Sequence, residues 1–554
     1  MNFRKINGLL ALLVVGCSTL TAAQTPVFGR VWDRRFGGTL DDNISMFQLL
    51  PDSGFIIGGT SQSGISGDKT QNNWDPSLTA TDFWLVRTDS SSNKVWDKRY
   101  GGFNTEVLGD VTLTGDGGYI CGGQSYSGIS GDKSQSNWDA SQQSNDYWII
   151  KIDSNGTKQW DKRFGGTSFD IYGATREATD GGYYVTGSSL SGISGDKTEL
   201  NEGSWDFWVI RTNSTGNKIW DHTFGGLNDE FVNWCEATDD GGVIVGGYSN
   251  SIVSGDKSEP SQGTWDYWLI KIDSSGNKVW DKTLGGTFQD YLFSICKTSD
   301  GGYIAAGQSY SGQSGDKSEP NHDLTTAGSD YWIVKLDASG NKLWDRTYGA
   351  SEVEQLSRVV ETADHGLLLC GESYSPVDGD KTEDNLGVEQ SWVVKTDSVG
   401  TIEWDKTIFT TGHDELGTAV MINDRCFAVA NYTYADTGGY KTQPIWGGGD
   451  YWIVKLCSDD PLGIPQHNSN PMSLQVFPNP SSAYAEFIIP SALSGPLHIT
   501  LTDMSGRSVF SQQMAFRQLH QQKYRIDVSP FTPGMYILTV ENGSTRYRGR
   551  LLKK

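Results

Sequence analysis

The chain is poor in the groups from which metal centres and active sites are usually built. It holds seven cysteines and seven histidines in 554 residues. The histidines (His222, His322, His365, His413, His467, His498 and His520) are scattered, and none has metal-ligand spacing with another. The cysteines form no C-x-x-C cluster. No G-x-S-x-G elbow and no H-E-x-x-H pair occurs, so the sequence names no hydrolase. Beyond the N-terminus no apolar run could span a bilayer. Basic residues are also outnumbered, 44 against 67 acids, for a net charge of −23. Such a surface repels phosphate backbones and argues against a nucleic-acid partner.

Glycine and tryptophan are plentiful, 68 and 20 residues. Fourth-strand segments such as KVWDKRYGG (94–102) recur around Trp32, Trp96, Trp160, Trp220, Trp280, Trp344 and Trp404, spaced 60 or 64 residues apart. A period this long is one supersecondary unit copied many times. Each copy reads as four strands. In the third, YGATREA (172–178) is followed by an Asp-Gly-Gly turn, YYVTGSS (183–189), a long polar loop, DFWVIRTN (206–213), a Ser-Thr-Gly-Asn turn and IWDHTF. Seven such units predict an all-β chain with a seven-bladed β-propeller at 24–457. The chain enters on a fourth strand and leaves on a third, so the N-terminal strand is expected to complete the last blade and close the ring.

Residues 1–23 read as a signal peptide, with Arg4 and Lys5 ahead of an apolar run and cleavage after Ala23. VVGC at 14–17 weakly resembles a lipoprotein box. Residues 458–472 form a Pro/Asn/Ser linker. In 473–554 the repeat is lost, and alternating runs such as HITLTDM and MYILTVEN predict a small Ig-like β-sandwich.

This last segment resembles a known family. Phe477-Pro478-Asn479-Pro480, LTDMSG ending at Gly506, DVSPFTPGMY with Gly534 and Tyr536, and the terminal Lys553-Lys554 look like the type A sorting domain of the type IX secretion system. The resemblance implies export through the periplasm to the outer surface of a Bacteroidota-type cell. It implies the secretion machinery and a surface sortase as partners. It also implies removal of the domain, with attachment to lipopolysaccharide or release. It does not say what the propeller does.

Four sets of residues are candidates for function. The loop between second and third strands carries SGxSGDK in six copies, with Asp68-Lys69 the first, as a charged ring or as architecture. An acid follows each fourth-strand tryptophan by ten residues: Asp42, Glu106, Asp170, Glu230, Asp290, Glu354 and Asp414. These seven carboxylates are candidate ligands for a cation such as Ca²⁺, or hydrogen-bonded latches between blades. Five tryptophans lie in or at the ends of the long loops, Trp74, Trp138, Trp205, Trp265 and Trp446. They are candidate contacts for a sugar ring or a protein partner, or lids folded over their own blades. Cys426 and Cys457 open and close neighbouring strands of the last blade and are a candidate disulfide. The expected role is binding of polysaccharide or a surface protein. A polysaccharide-degrading enzyme and a purely structural surface protein are the alternatives. The enzyme reading needs broken symmetry, for which His365, Glu372, His413 and Arg425 in the last two blades are the first places to look.

Overall fold

A computed structural model describes residues 26–323, 327–458, 472–473, 476–477, 481–488, 497–503, 508–514, 523–541 and 546–554. The segment read as a signal peptide, most of the linker, Pro478, Asn479, Pro480 and Gly506 lie outside the described residues.

Seven antiparallel four-stranded sheets account for residues 28–458. In the first blade the order is Asp42–Leu49, Phe55–Ser61, Asp82–Thr88 and Lys94–Tyr100. Each first strand packs against the first strand of the next blade, and Asp414–Met421 packs back against Asp42–Leu49. The sheets thus form a closed, propeller-like ring. The last blade is completed by Phe28–Phe36, which pairs with Asp450–Ser458 from Phe28 opposite Ser458 to Phe36 opposite Tyr451. The pairing covers the edge that Asp450–Ser458 would otherwise leave open. Cys426 and Cys457 face each other in the same blade and are joined by a disulfide.

The repeated sequence explains the repeated packing. Third strands are buried along nearly their whole length because a blade lies on each side of them. Their tryptophans, Trp84, Trp148, Trp208, Trp268, Trp332, Trp392 and Trp452, are fully buried. A buried indole N–H needs an acceptor. The aspartate after each fourth-strand tryptophan supplies it, as in Trp208 Nε1 to Asp221 at 3.0 Å and Trp332 Nε1 to Asp345 at 3.0 Å. The same carboxylate of Asp221 accepts the loop amide of Thr198 at 2.9 Å. One Trp-Asp pair therefore ties second-to-third loop, third strand and fourth strand together. The opposite face is made of short turns; Gly181, at φ 81°, takes the left-handed position in one.

The C-terminal residues form a five-stranded sheet and a three-stranded sheet about a shared apolar core that includes Phe487, Ile499, Leu501, Tyr536 and Leu538.

Candidate functional site

The long loops gather on one face of the ring, where they meet the connections between blades. The amide of Asp68 donates to the Gly37 carbonyl, and equivalent bonds recur at Asp132, Asp196, Asp256, Asp316 and Asp380. The SGDK aspartates are blade-to-blade acceptors. Asp132 takes Trp74 Nε1 at 2.8 Å and Arg99 at 2.8 Å, and the Arg99 guanidinium lies 4.4 Å over the Trp74 ring. Asp196 takes Trp138 Nε1 at 2.9 Å and Arg163 at 2.5 Å, with Arg163 over the ring. Asp68 takes Trp446 Nε1 at 3.2 Å, and Arg35 covers that ring. The SGDK lysines point inward and are about 2 % exposed. Lys69 donates to Ser61 at 2.8 Å and to the Ser63 carbonyl at 2.7 Å, and burial lowers its ammonium to about 8.

Trp74, Trp138 and Trp446 thus have their polar edge and one face engaged between blades. Their arginine partners Arg99, Arg163 and Arg35 occupy the same fourth-strand position. In the other blades that position is Thr223, Thr283, Thr347 or Thr407. There the loop residue against the next aspartate is no tryptophan: Gln262 donates to Asp316 at 2.5 Å and His322 meets Asp380 at 3.5 Å. The pairing of loop tryptophan with W-D-x-Arg was readable in the sequence as two classes of repeat.

The seven acids are all fully buried. Each sits at the start of a first strand and caps the turn before it. Glu106 accepts Gly102 N at 2.7 Å and Ser125 Oγ at 2.7 Å; Glu230 accepts Gly226 N at 2.9 Å and Ser249 Oγ at 2.7 Å. Their oxygens do not converge: among the described residues no three of them bring ligand atoms within 4.8 Å. A second ring of acids, overlooked in the sequence, lies beside them. Asp82, Asp146, Asp206, Asp266, Asp330 and Asp450 open the third strands and are also fully buried. Burial acts on several members of both rings. It raises Asp42 and Asp414 to about 6 and Asp170, Asp290 and Glu354 to about 7. It raises Asp82, Asp206 and Asp450 to about 7.

The second ring explains the first glycine of the Gly-Gly pair. A Cβ on Gly101 would stand 2.1 Å from Asp82 Oδ1, and one on Gly37 would stand 1.9 Å from Asp450 Oδ1. Where the chain has Phe409 in place of that glycine, it has Gln390 in place of the aspartate. Gln390 donates to Asp414 at 3.1 Å and accepts the Thr410 amide at 2.8 Å.

The central channel is lined by the first strands of all seven blades, and holds a cavity of about 270 Å³ beside Asp110, Trp234, Arg358 and Glu372. Trp234 is held between Arg176, at 4.5 Å, and Arg358, at 5.0 Å, and Arg176 pairs with Asp110 at 2.6 Å. At the long-loop mouth the symmetry breaks. At six of the junctions the carbonyl of the residue before the third strand accepts an amide from the next blade's first strand, as Trp205 does from Glu230 at 2.7 Å and Trp265 from Asp290 at 2.7 Å. This position is Thr81, Asn145, Trp205, Trp265, Ser329, Glu389 and Gly449 around the ring. Trp205 stacks on Phe231 at 5.6 Å. Phe231 reaches Tyr248 at 5.5 Å, and Tyr248 reaches Trp265 at 5.3 Å and Tyr291 at 4.9 Å. All five rings are half-buried. Two blades on, the same register carries Glu389 and Glu415, with His413 between them. His365 is not part of this group. It sits in a tight turn at φ 66°, with Nδ1 2.8 Å from Ser299 Oγ. Arg425 likewise belongs to a turn, its amide donating to Asn423 at 2.9 Å.

Residues 475–554 match the family model of the secretion system C-terminal sorting domain. That domain marks the chain for export by the type IX system to the cell surface or beyond. Within it Tyr536 is buried and donates to the Thr532 carbonyl at 2.7 Å, while Lys553 ends the last strand, Arg546–Lys553. No helix among the described residues is long and apolar enough to cross a membrane. No curated protein matches the sequence. Among solved structures the chain is similar to PorZ, a surface component of the type IX secretion system of Porphyromonas gingivalis. The identity is 10% and the TM-score 0.37, over 94% of this chain and 60% of that one. It is also similar to the Neurospora crassa Pan2 WD40 domain, at 8% identity and TM-score 0.42, over 79% and 97% of the two chains. A third likeness is to YCF48 bound to D1 peptide, at 7% identity and TM-score 0.39, over 80% and 100%.

Proposed function

We propose that the chain is an exported binding protein. Its ligand, a polysaccharide or a surface protein, docks at the long-loop mouth of the channel against Trp205, Phe231, Tyr248, Trp265 and Tyr291. The observation that carries this reading is that these five half-buried rings form one connected run in a single sector of the mouth. Half-buried rings that hold one another in place offer flat apolar area at little cost in side-chain entropy. A sugar's C–H face or a partner's aromatic or proline side chain is the chemistry they suit. Trp74, Trp138 and Trp446 drop out of the contact set because the latches already hold them.

The C-terminal sheets are read as the Ig-like sorting domain. A surface sortase would remove it and leave the propeller anchored to lipopolysaccharide or free. Neither acid ring supports a glycosidase, which needs two accessible carboxylates of unlike pKa beside the substrate.

The test is a glycan array and a surface-protein pull-down with the full exported chain, beside the variants Trp205→Ala/Trp265→Ala and Trp138→Ala. Saturable binding lost in the double variant and kept in Trp138→Ala supports the mouth. Equal binding by all three overturns the mouth as the site, and no binding by the native chain turns the reading toward a structural surface protein.

A further inference from the structure

The geometry points to a divalent transition-metal site of the Zn²⁺ class at Glu389, His413 and Glu415, on the rim between the last two blades. The inference stands apart from the ligand proposed above.

Three side chains from two elements converge there. Glu389 ends the long loop that precedes Gln390–Thr396. His413 ends the connection from the sixth blade, and Glu415 is the second residue of Asp414–Met421. His413 Nδ1 faces Glu389 Oε1, and His413 Nε2 faces Glu415 Oε1. One ligand atom from each of the three lies within 4.8 Å of the others, the only such group among the described residues. One imidazole and two carboxylates are donors that Zn²⁺ takes readily, whereas Ca²⁺ selects oxygen alone.

Glu389 supplies the independent sign of a missing partner. Its side chain is 0 % exposed, while His413 and Glu415 are 40 % and 32 % exposed. No contact of hydrogen-bond geometry reaches either Glu389 oxygen, and its one charged neighbour is the His413 ring at Oε1. A buried carboxylate that meets only the edge of an imidazole is costly unless a cation completes its surroundings. Among the described residues no lysine or arginine pairs with either glutamate. Asp414, a further acid, is buried next in sequence to His413 and Glu415. Imidazolium alone would leave the two glutamates one charge short of neutral. A divalent ion with neutral imidazole balances them, and the exposed side of His413 and Glu415 leaves room for water to complete the shell.

The group also breaks the repeat. At the junction of the first and second blades the equivalents of Glu389, His413 and Glu415 are Thr81, Thr105 and Val107. No other junction has the set.

The test uses the full chain, stripped with chelator and dialysed against Zn²⁺, Mn²⁺ or Ca²⁺. Bound metal is counted by mass spectrometry and affinity by calorimetry. The native chain is expected to hold one Zn²⁺ and to melt higher with it than without. His413→Ala and Glu389→Gln should lower affinity more than roughly a hundredfold, since loss of even a supporting residue costs about 10–100-fold. Melting of each metal-free variant checks the fold, and half-exposed Glu415→Gln gives a variant that leaves the core untouched. Absence of stoichiometric Zn²⁺ from the native chain, preference for Ca²⁺, or equal Zn²⁺ uptake by folded His413→Ala or Glu415→Gln overturns the site.

Discussion

Two sets of tryptophans share one face of this ring and do different things. Trp74, Trp138 and Trp446 stand in mid-loop, each between an arginine of its own blade and an aspartate of the next. Trp205 and Trp265 stand at the loop's last residue, on the channel rim, and touch aromatic rings with no indole hydrogen bond to an aspartate of the next blade. Exposure does not separate them. Trp138 and Trp446 are 43 % and 49 % exposed, more than the rim pair. The difference is in register. A loop position whose neighbours include a charged pair becomes a clasp, and one whose neighbours are apolar becomes an open surface.

The largest break in this comparison comes from removing the three clasps together. Trp74→Ala/Trp138→Ala/Trp446→Ala loses three indole-to-carboxylate bonds and three cation–π contacts. With each charge-assisted bond at about 1.5 kcal/mol and each cation–π contact at about 0.5, the low ends that suit half-exposed rings, the variant should lose roughly 6 kcal/mol. Calorimetric melting would show it, and a change under about 1 kcal/mol would mean that the clasps are ornamental.

Acidification acts on the interfaces beneath the clasps. Asp82, Asp206 and Asp450 stand near 7 and Asp42 near 6 in the folded chain, against an ordinary 3.8. A carboxyl raised by folding binds its proton more tightly when folded. Its contribution is complete below about 4 and is lost as pH rises through 6 to 7. The buried lysines, lowered to about 8, act above that range. Melting temperature should therefore rise by several degrees between pH 8 and pH 5. The junction with Gln390 already has an amide where the others have an acid. Asp82→Gln paired with Gly101→Phe, which copies that junction, should flatten the slope; an unchanged slope would show that the acid pairs do not set it.

The rim pair should give the converse pattern. Trp205→Ala/Trp265→Ala is expected to move the melt by less than the clasps while weakening ligand binding about tenfold or more, a stacked ring being worth about 0.5–1.5 kcal/mol beyond its area. Equal loss of stability in the two sets would erase the distinction between clasp and surface.

Why the ring was legible and its rim was not follows from what repeats. Trp32 and its six copies, the Asp-Gly-Gly turns and the phase of the termini are local patterns, and each has one structural meaning. The closure of Phe28–Phe36 onto Asp450–Ser458 follows from counting strands. Loop residues have no such periodic frame. The long loop is four residues longer in some blades than in others, so Trp74 and Trp205 look alike in sequence but differ in register. Trp74 stands eight residues before Asp82, whereas Trp205 stands directly before Asp206. The acids at Asp82 and its equivalents were hidden beside louder neighbours, the aromatic pair Phe83-Trp84. Glu389, His413 and Glu415 span 27 positions, and only the fold brings the loop of one blade to the first strand of the next.

The finest division is within a single clasp. Trp74→Phe keeps the ring under Arg99 but removes the N–H that Asp132 accepts at 2.8 Å. Asp132 retains Arg99 at 2.8 Å and Gly101 N at 3.2 Å, so the carboxylate is not orphaned. The expected loss is about 1 kcal/mol, the net value of one hydrogen bond whose acceptor stays satisfied. Arg99→Lys keeps the charge but gives up the planar stack and the fork, so it should cost about as much. If Trp74→Phe is neutral while Arg99→Lys is not, the clasp is an arginine held by an aspartate with the indole as its lid. If the order reverses, the indole N–H is the tie between blades.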